Sequence, residues 1–234
     1  MKKTYYALAA IFFSVICAVT FILNTGYEKA HTVTPLKQDS LVFPENVNKL
    51  MIVAHPDDET LWGGAHLLEG DWLVVSLTHG SDSTRSSEFR EAVSSGGNIP
   101  MLLNYPDKVN FTRDDWSLVS EYIKDDICSI IESKKWEIVA THNPAGEYGH
   151  IHHKLTSSFV TESFKVYSTG TLYYFGDYYS AKKLPEAKVL LTPIEKEKLD
   201  QKLEICSIYR SQKRTVQKLS HMLPYEEWEV AMLK

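Results

Sequence analysis

The apolar run Leu50–Ala54 stops abruptly at His55-Pro-Asp-Asp-Glu59, and a helix-like segment, Thr60–Leu68, follows at once. A buried strand that delivers reactive side chains and turns straight into a helix belongs to an open α/β sheet. Such sheets gather their ligands beyond the C-terminal ends of the strands. His55 and Asp58 are three residues apart, close enough to face one point if the chain turns between them. A neutral imidazole and a carboxylate are a natural pair of metal ligands. Asp57 is then a spare carboxylate beside the metal, the kind of group that serves as a general base. The same acids also suit the first turn of a helix, where capping and the helix dipole favour negative charge. A distant histidine cluster, Tyr148-Gly-His-Ile-His-His153, weighs toward chemistry.

The remainder repeats the strand–helix alternation. Strands are predicted at Lys49–Ala54, Trp72–Thr78, Met101–Leu103, Trp136–Thr141 and Thr171–Phe175. Helices are predicted at Ser83–Ser95, Asp114–Ser133 and His152–Val166. In Asp114–Ser133, Trp116, Val119, Ile123, Ile127, Ile130 and Ile131 recur at three- and four-residue steps. Thr192-Pro-Ile-Glu195 has the pattern of a capping box opening a helix through Ile208, and Glu226-Glu-Trp228 reads as a last short helix. Alternating elements imply a largely parallel, Rossmann-like sheet with helices on both faces. Polar clusters end three of the strands, at His55–Glu59, His79–Asp82 and His142–His153, and such a sheet brings them together.

At 234 residues, 44% of them hydrophobic, the chain can bury one full core. Its net charge of −5 argues against a nucleic-acid binder, which needs a basic stripe. Lys2 and Lys3 precede a charge-free stretch, Thr4–Tyr27, that is mostly apolar up to Leu23. Residues 1–27 therefore read as a signal peptide or membrane anchor. The length of the stretch and the lack of an Ala-x-Ala site favour the anchor. The two lysines favour a cytoplasmic N-terminus, which puts the catalytic part outside the cytoplasm, membrane-anchored or secreted. Residues 28–48 read as a linker and 49–234 as the catalytic domain. Cys128 and Cys206 are the candidate pair in an exported domain, although two separate thiols on two helices fit the pattern better.

Ala54-His-Pro-Asp-Asp-Glu59 together with Tyr148-Gly-His-Ile-His-His153 resembles the LmbE-like/PIG-L family of zinc-dependent N-deacetylases. The resemblance covers Lys49–His153 and continues weakly to Tyr209-Arg-Ser-Gln212. It implies one zinc ion per chain, held by His55, Asp58 and His153. It also implies Asp57 as general base, His150 as the group that stabilises or protonates the tetrahedral intermediate, and Tyr148 as an oxyanion donor. Arg85 and Asp107 match substrate-binding positions; a plain Arg85–Glu88 surface pair is the alternative for the first. The implied reaction removes the acetyl group from an N-acetylglucosamine-type amino sugar of a glycoconjugate. Two other readings fit the same residues: a catalytically silent sugar-binding protein of this fold, and a metal-dependent esterase or phosphoesterase. The sequence departs from the family at His152, which stands where an aspartate normally orients the first histidine. That replacement takes away the carboxylate that would keep His150 cationic.

Overall fold

Strands buried on both faces must feed two cores with alternate side chains. The computed structural model, which describes residues 2–38 and 41–233 and side chains from Ile11 onward, has this arrangement. In chain order it comprises α1 (Lys2–Ala30), β1 (Lys49–Val53), α2 (Asp58–Leu67), β2 (Trp72–Thr78), α3 (Ser83–Ser95) and β3 (Ile99–Tyr105). A small hairpin, β4 (Lys108–Val109) and β5 (Thr112–Arg113), precedes α4 (Ser120–Glu132), β6 (Ile138–Thr141), α5 (Ile151–Tyr167) and β7 (Thr171–Tyr174). The short α6 (Leu184–Ala187), then α7 (Lys196–Ile208), α8 (Lys213–Leu219) and β8 (Glu229–Val230) complete the chain.

The main sheet has the order β3-β2-β1-β6-β7-β8, parallel throughout except for β8, which is antiparallel to β7. Leu50, Ile52, Leu73 and Val75 meet α4 and α5 through Ile123, Ile127, Val160 and Phe164. Met51, Val53, Trp72 and Val74 meet α2, α3 and α7 through Leu61, Phe89, Val93 and Ile205. The expected Rossmann-like sheet with helices on both faces is therefore present. Strand order reverses between β1 and β6, and the crevice above that switch point is where such a sheet takes its ligands. His142 directly follows β6, and His55 follows β1 after a single residue, Ala54.

Three local expectations are corrected. Helix α4 starts at Ser120, not Asp114, because Asp114 Oδ1 accepts the Trp116 amide at 2.8 Å and closes a turn, with Trp116 at φ 60°. Trp116 is still fully buried, and its indole N–H donates to the Pro106 carbonyl. The Thr192 capping box does not form: Pro193 bridges Tyr225, and Glu195 becomes the cap of a helix that begins at Lys196. Glu226–Trp228 is not helical and leads into β8, because the Glu226 carboxylate is spent on the backbone amides of Ala65 and His66.

Helix α1 carries an apolar segment, Ile11–Ala30, long enough to cross a membrane and exposed along its length; a signal sequence shares that property. The segment after it lies against the domain. His31 pairs with Asp114 at 2.8 Å, Leu36 N–H donates to Asp126 Oδ1, and Val33, Leu36, Leu41 and Phe43 pack on the α4–α5 core. Cys128 and Cys206 are free thiols, packed on opposite faces of the sheet.

Candidate metal and catalytic site

The corner after β1 is strained. Asp57 occupies the N-cap position of α2 at φ 111°, a conformation that non-glycine residues avoid. Its side chain does not cap the helix, which removes the helix-cap explanation for this acid. The strain is held by Glu59, whose Oε2 accepts the Asp57 amide at 3.1 Å. Glu59 in turn accepts from Thr60 Oγ1 at 2.6 Å and from the Tyr209 hydroxyl. The neighbouring carboxylates divide sharply. Burial, then the Asp58 charge, pushes the Asp57 carboxyl well above its ordinary range, with Arg85 opposing. Burial also works against the Asp58 charge, but His153, His55 and His142 outweigh it and hold this carboxyl well below its ordinary range.

Asp58 is the hub. Its Oδ2 accepts the His55 amide at 2.9 Å and lies 3.1 Å from His55 Nδ1; its Oδ1 lies 3.3 Å from His153 Nε2. The histidine tautomers follow from their partners. His142 Nε2 accepts the Ala54 amide at 3.0 Å, so Nδ1 carries the proton and donates to Glu147 at 3.1 Å. His153 Nδ1 donates to the same Glu147 oxygen at 2.5 Å. Burial alone would raise Glu147, but His142 and His153 outweigh it and hold it at about 2, an ionised acceptor. His153 Nε2 is left buried, without a hydrogen-bond partner among the described residues, and aimed at a carboxylate. Burial disfavours a charge on His153, yet Asp58 and Glu147 push its pKa up to about 10. The pocket therefore favours positive charge at His153, which a proton or a metal cation would supply. His55, His150 and His153 place donor atoms within 4.8 Å of one another, as do Asp58, His142 and His153.

His150 caps α5, with its Nδ1 accepting the His152 amide at 3.2 Å. Burial, then repulsion from His55 and His153, lowers its pKa to about 2, so it is neutral and presents Nε2–H. Tyr148 packs edge-on to His153 at 5.4 Å, and burial followed by the Asp58 charge raises its hydroxyl, which stays protonated. Gly146 makes the loop that carries these residues possible: at φ 70°, a Cβ there would lie 2.7 Å from the His150 carbonyl oxygen.

A cavity of about 440 Å³ opens onto the cluster. His55, Asp57, Asp58, Tyr148 and His150 form its floor, and Arg85, Asp107, Lys108, Arg113 and Lys218 are on its walls. Arg85 does not pair with Glu88. It reaches the Pro56 carbonyl and lies 3.6 Å from Asp57, while Glu88 accepts from the Ser211 amide and hydroxyl. Asp107, expected beside substrate hydroxyls, also faces His55 at 3.2 Å, His79 at 3.4 Å and Arg113.

Sequence reasoning missed Glu147. Its only local signal is an acid between two glycines, ahead of the histidine cluster. It also missed Glu59 as the brace of Asp57, a role that depends on Tyr209, 150 residues away.

Known proteins share this framework. An uncharacterized protein, L374, of Acanthamoeba polyphaga mimivirus is 33% identical over 127 residues, 47% of this chain and 55% of that protein; the match thus spans about half of that relative's length. Among solved structures, the A40926 pseudoaglycone deacetylase Dbv21 superposes with a TM-score of 0.58 at 17% identity, over 74% of this chain and 85% of that one. The zinc-inhibited form of teicoplanin deacetylase Orf2 gives 0.53 at 16%, over 80% and 100%. These structures share the fold. Residues 50–164, which contain the whole cluster from His55 to His153, are a domain of the PIG-L family, described as GlcNAc-PI de-N-acetylase.

Proposed function

We propose that this protein is a zinc-dependent hydrolase that removes the acetyl group from an N-acetylglucosamine-type amino sugar of a glycoconjugate. One observation carries the reading: His153 Nε2 is buried, has no hydrogen-bond partner among the described residues and lies 3.3 Å from the Asp58 carboxylate. His55, Asp58 and His153 would hold the ion, with Glu147 fixing the His153 ring as carboxylates fix metal-binding histidines elsewhere. The bound cation supplies a Lewis acid and acidifies water. The fold shared with Dbv21, a deacetylase of the A40926 pseudoaglycone, and with the teicoplanin deacetylase Orf2, solved in a zinc-inhibited form, supports the class of chemistry.

The residues divide the work. Asp57 accepts the proton of the attacking water, a task for which a carboxyl raised above its ordinary range is better matched than an ordinary one. Tyr148 Oη–H and the neutral His150 Nε2–H donate to the oxygen that becomes negative as water adds to the amide carbon. When the C–N bond breaks, protonated Asp57 returns the proton to the leaving amine, giving acetate and the free amino sugar. A neutral His150 is a hydrogen-bond donor, so the proton shuttle falls to Asp57. Arg85 steadies Asp57 and reaches the cavity wall, placed to meet sugar hydroxyls. The apolar N-terminal helix would tether the enzyme to a membrane, with the catalytic domain on the extracytoplasmic side.

The test is amine release from a panel of N-acetylated glycans, with the chain metal-loaded and chelated. Chelator-sensitive release that zinc restores is expected, with about one zinc per chain at saturation, as a three-ligand open site holds. Release that persists in chelator, or zinc uptake without release from any N-acetylated substrate, would remove this reading.

A further inference from the structure

His152 stands where the resemblance leads one to expect an aspartate, and it does not take over that residue's expected duty. His150 is held by the backbone amide of residue 152, which every non-proline residue supplies. The His152 ring faces the other way. It stacks on Trp116 with centroids 4.0 Å apart and planes 6° from parallel, fully buried. Its Nε2 lies 2.7 Å from the Asp114 carbonyl oxygen. A carbonyl only accepts, so Nε2 carries the proton and Nδ1 keeps a lone pair. That lone pair lies 3.1 Å from His55 Nε2. Asp107 Oδ1, also an acceptor, completes the group at 3.2 Å from His55 and 3.6 Å from His152. The Asp114 turn is itself fixed by the Trp116 amide on Oδ1 and by His31 on Oδ2.

Resting on the metal-site reading above, we infer that His152, with Asp107, is a positioning residue for His55: its Nδ1 accepts the His55 Nε2 proton and so fixes the ring that serves the cation. The geometry explains the whole arrangement. A metal-binding histidine nearly always gives its second N–H to a carboxylate, carbonyl or similar acceptor, and loss of that acceptor weakens metal binding. Here a second histidine does this, made a pure acceptor on the relevant edge by a carbonyl on its far side. The path Asp114 C=O, His152, His55 then runs from the turn before α4 into the site.

The test is zinc affinity of the full-length chain, by competition with a chromophoric chelator. His152→Phe keeps the stack on Trp116 and removes the acceptor. His152→Asn restores an acceptor where Nδ1 stood. Zinc should bind roughly 10- to 100-fold more weakly to His152→Phe, and within about threefold of the native chain to His152→Asn. Long-range ¹H–¹⁵N spectra of the native, zinc-loaded chain should show His152 as the Nε2-protonated tautomer. That measurement needs no variant and stands even where His152→Phe misfolds. Equal affinity of His152→Phe and the native chain would overturn the inference, as would an Nδ1-protonated His152. So would two zinc ions on the native chain against one on His152→Phe, since His55, Asp107 and His152 would then hold a cation themselves. A native chain that binds no zinc overturns the metal-site reading as well. Native binding with an unaffected variant overturns the positioning role alone.

Discussion

Asp57 is held in a left-handed backbone conformation and in a buried, acid-crowded corner, and both conditions cost stability. Backbone strain of this kind is worth on the order of 1–3 kcal/mol. The usual order of substitution should therefore reverse at this residue: Asp57→Gly should unfold at a higher temperature than Asp57→Ala, because only glycine relaxes φ 111°. Thermal melts of the two variants check this. Asp57→Asn keeps size and polarity but has no basic oxygen to take a proton. Its deacetylation rate should fall by about two to four orders of magnitude with zinc content unchanged, measured by amine release and metal analysis. Near-normal turnover would mean that another group is the base. His55→Ala or His153→Ala should differ in kind, losing metal and rate together.

At the scale of elements, the late Tyr209-Arg-Ser-Gln212 stretch joins two helices to the site. It interrupts α7 and α8: the Tyr209 hydroxyl donates to Glu59 at the start of α2, and the Ser211 amide and hydroxyl hold Glu88 on α3. Glu59 carries the Asp57 amide, and α3 carries Arg85, so this stretch sets both sides of Asp57, the proposed general base. Tyr209→Phe leaves a buried Glu59 oxygen short of a donor, which should cost about 1–3 kcal/mol in chemical denaturation and lower turnover more than substrate affinity. Unchanged stability would show that Thr60 alone satisfies Glu59. The elements themselves were legible from local pattern. The alternation of β1 and β2, the isoleucine steps of α4 and the polar strand ends carry their own periodicity. So was the convergence of the polar clusters that hold His55, Asp58 and His153, because strand ends converge at a switch point. What pattern does not carry is pairing across the chain. Glu147 with two histidines, Tyr209 with Glu59, and the tail running as a strand all depend on partners that no local window contains.

At the scale of the whole molecule, the segment before β1 and the tail after α8 clamp the domain from opposite faces. Val33, Leu36, Leu41 and Phe43 pack on the α4–α5 core, so a fragment starting at Lys49 should be several kcal/mol less stable than one starting at Glu28, as urea titration would read. On the other face, Lys202 is fully buried. Its ammonium donates to the Leu61 and Leu223 carbonyls and lies 2.6 Å from Glu226, which also holds the Ala65 amide and His66. Burial alone would raise the Glu226 carboxyl; Lys202, with His66 and Ala65, outweighs it and brings the pKa from 4.5 to about 2. A carboxyl whose pKa is depressed by folding contributes stability above its unfolded pKa and loses it as pH falls toward the folded one. At about 1.4 kcal/mol per unit, that is roughly 3 kcal/mol, present at neutral pH and lost between about pH 4.5 and pH 2. Glu226→Gln should therefore be clearly less stable than the native chain at pH 7, with the gap narrowing as pH drops below about 4.5. Lys202→Met strands the Glu226 charge and should cost about 3–5 kcal/mol at pH 7, while Lys202→Met with Glu226→Leu should recover much of that loss. Denaturant midpoints across pH decide it: a gap between Glu226→Gln and the native chain that does not change with pH would mean that Glu226 acts through packing and not through its charge.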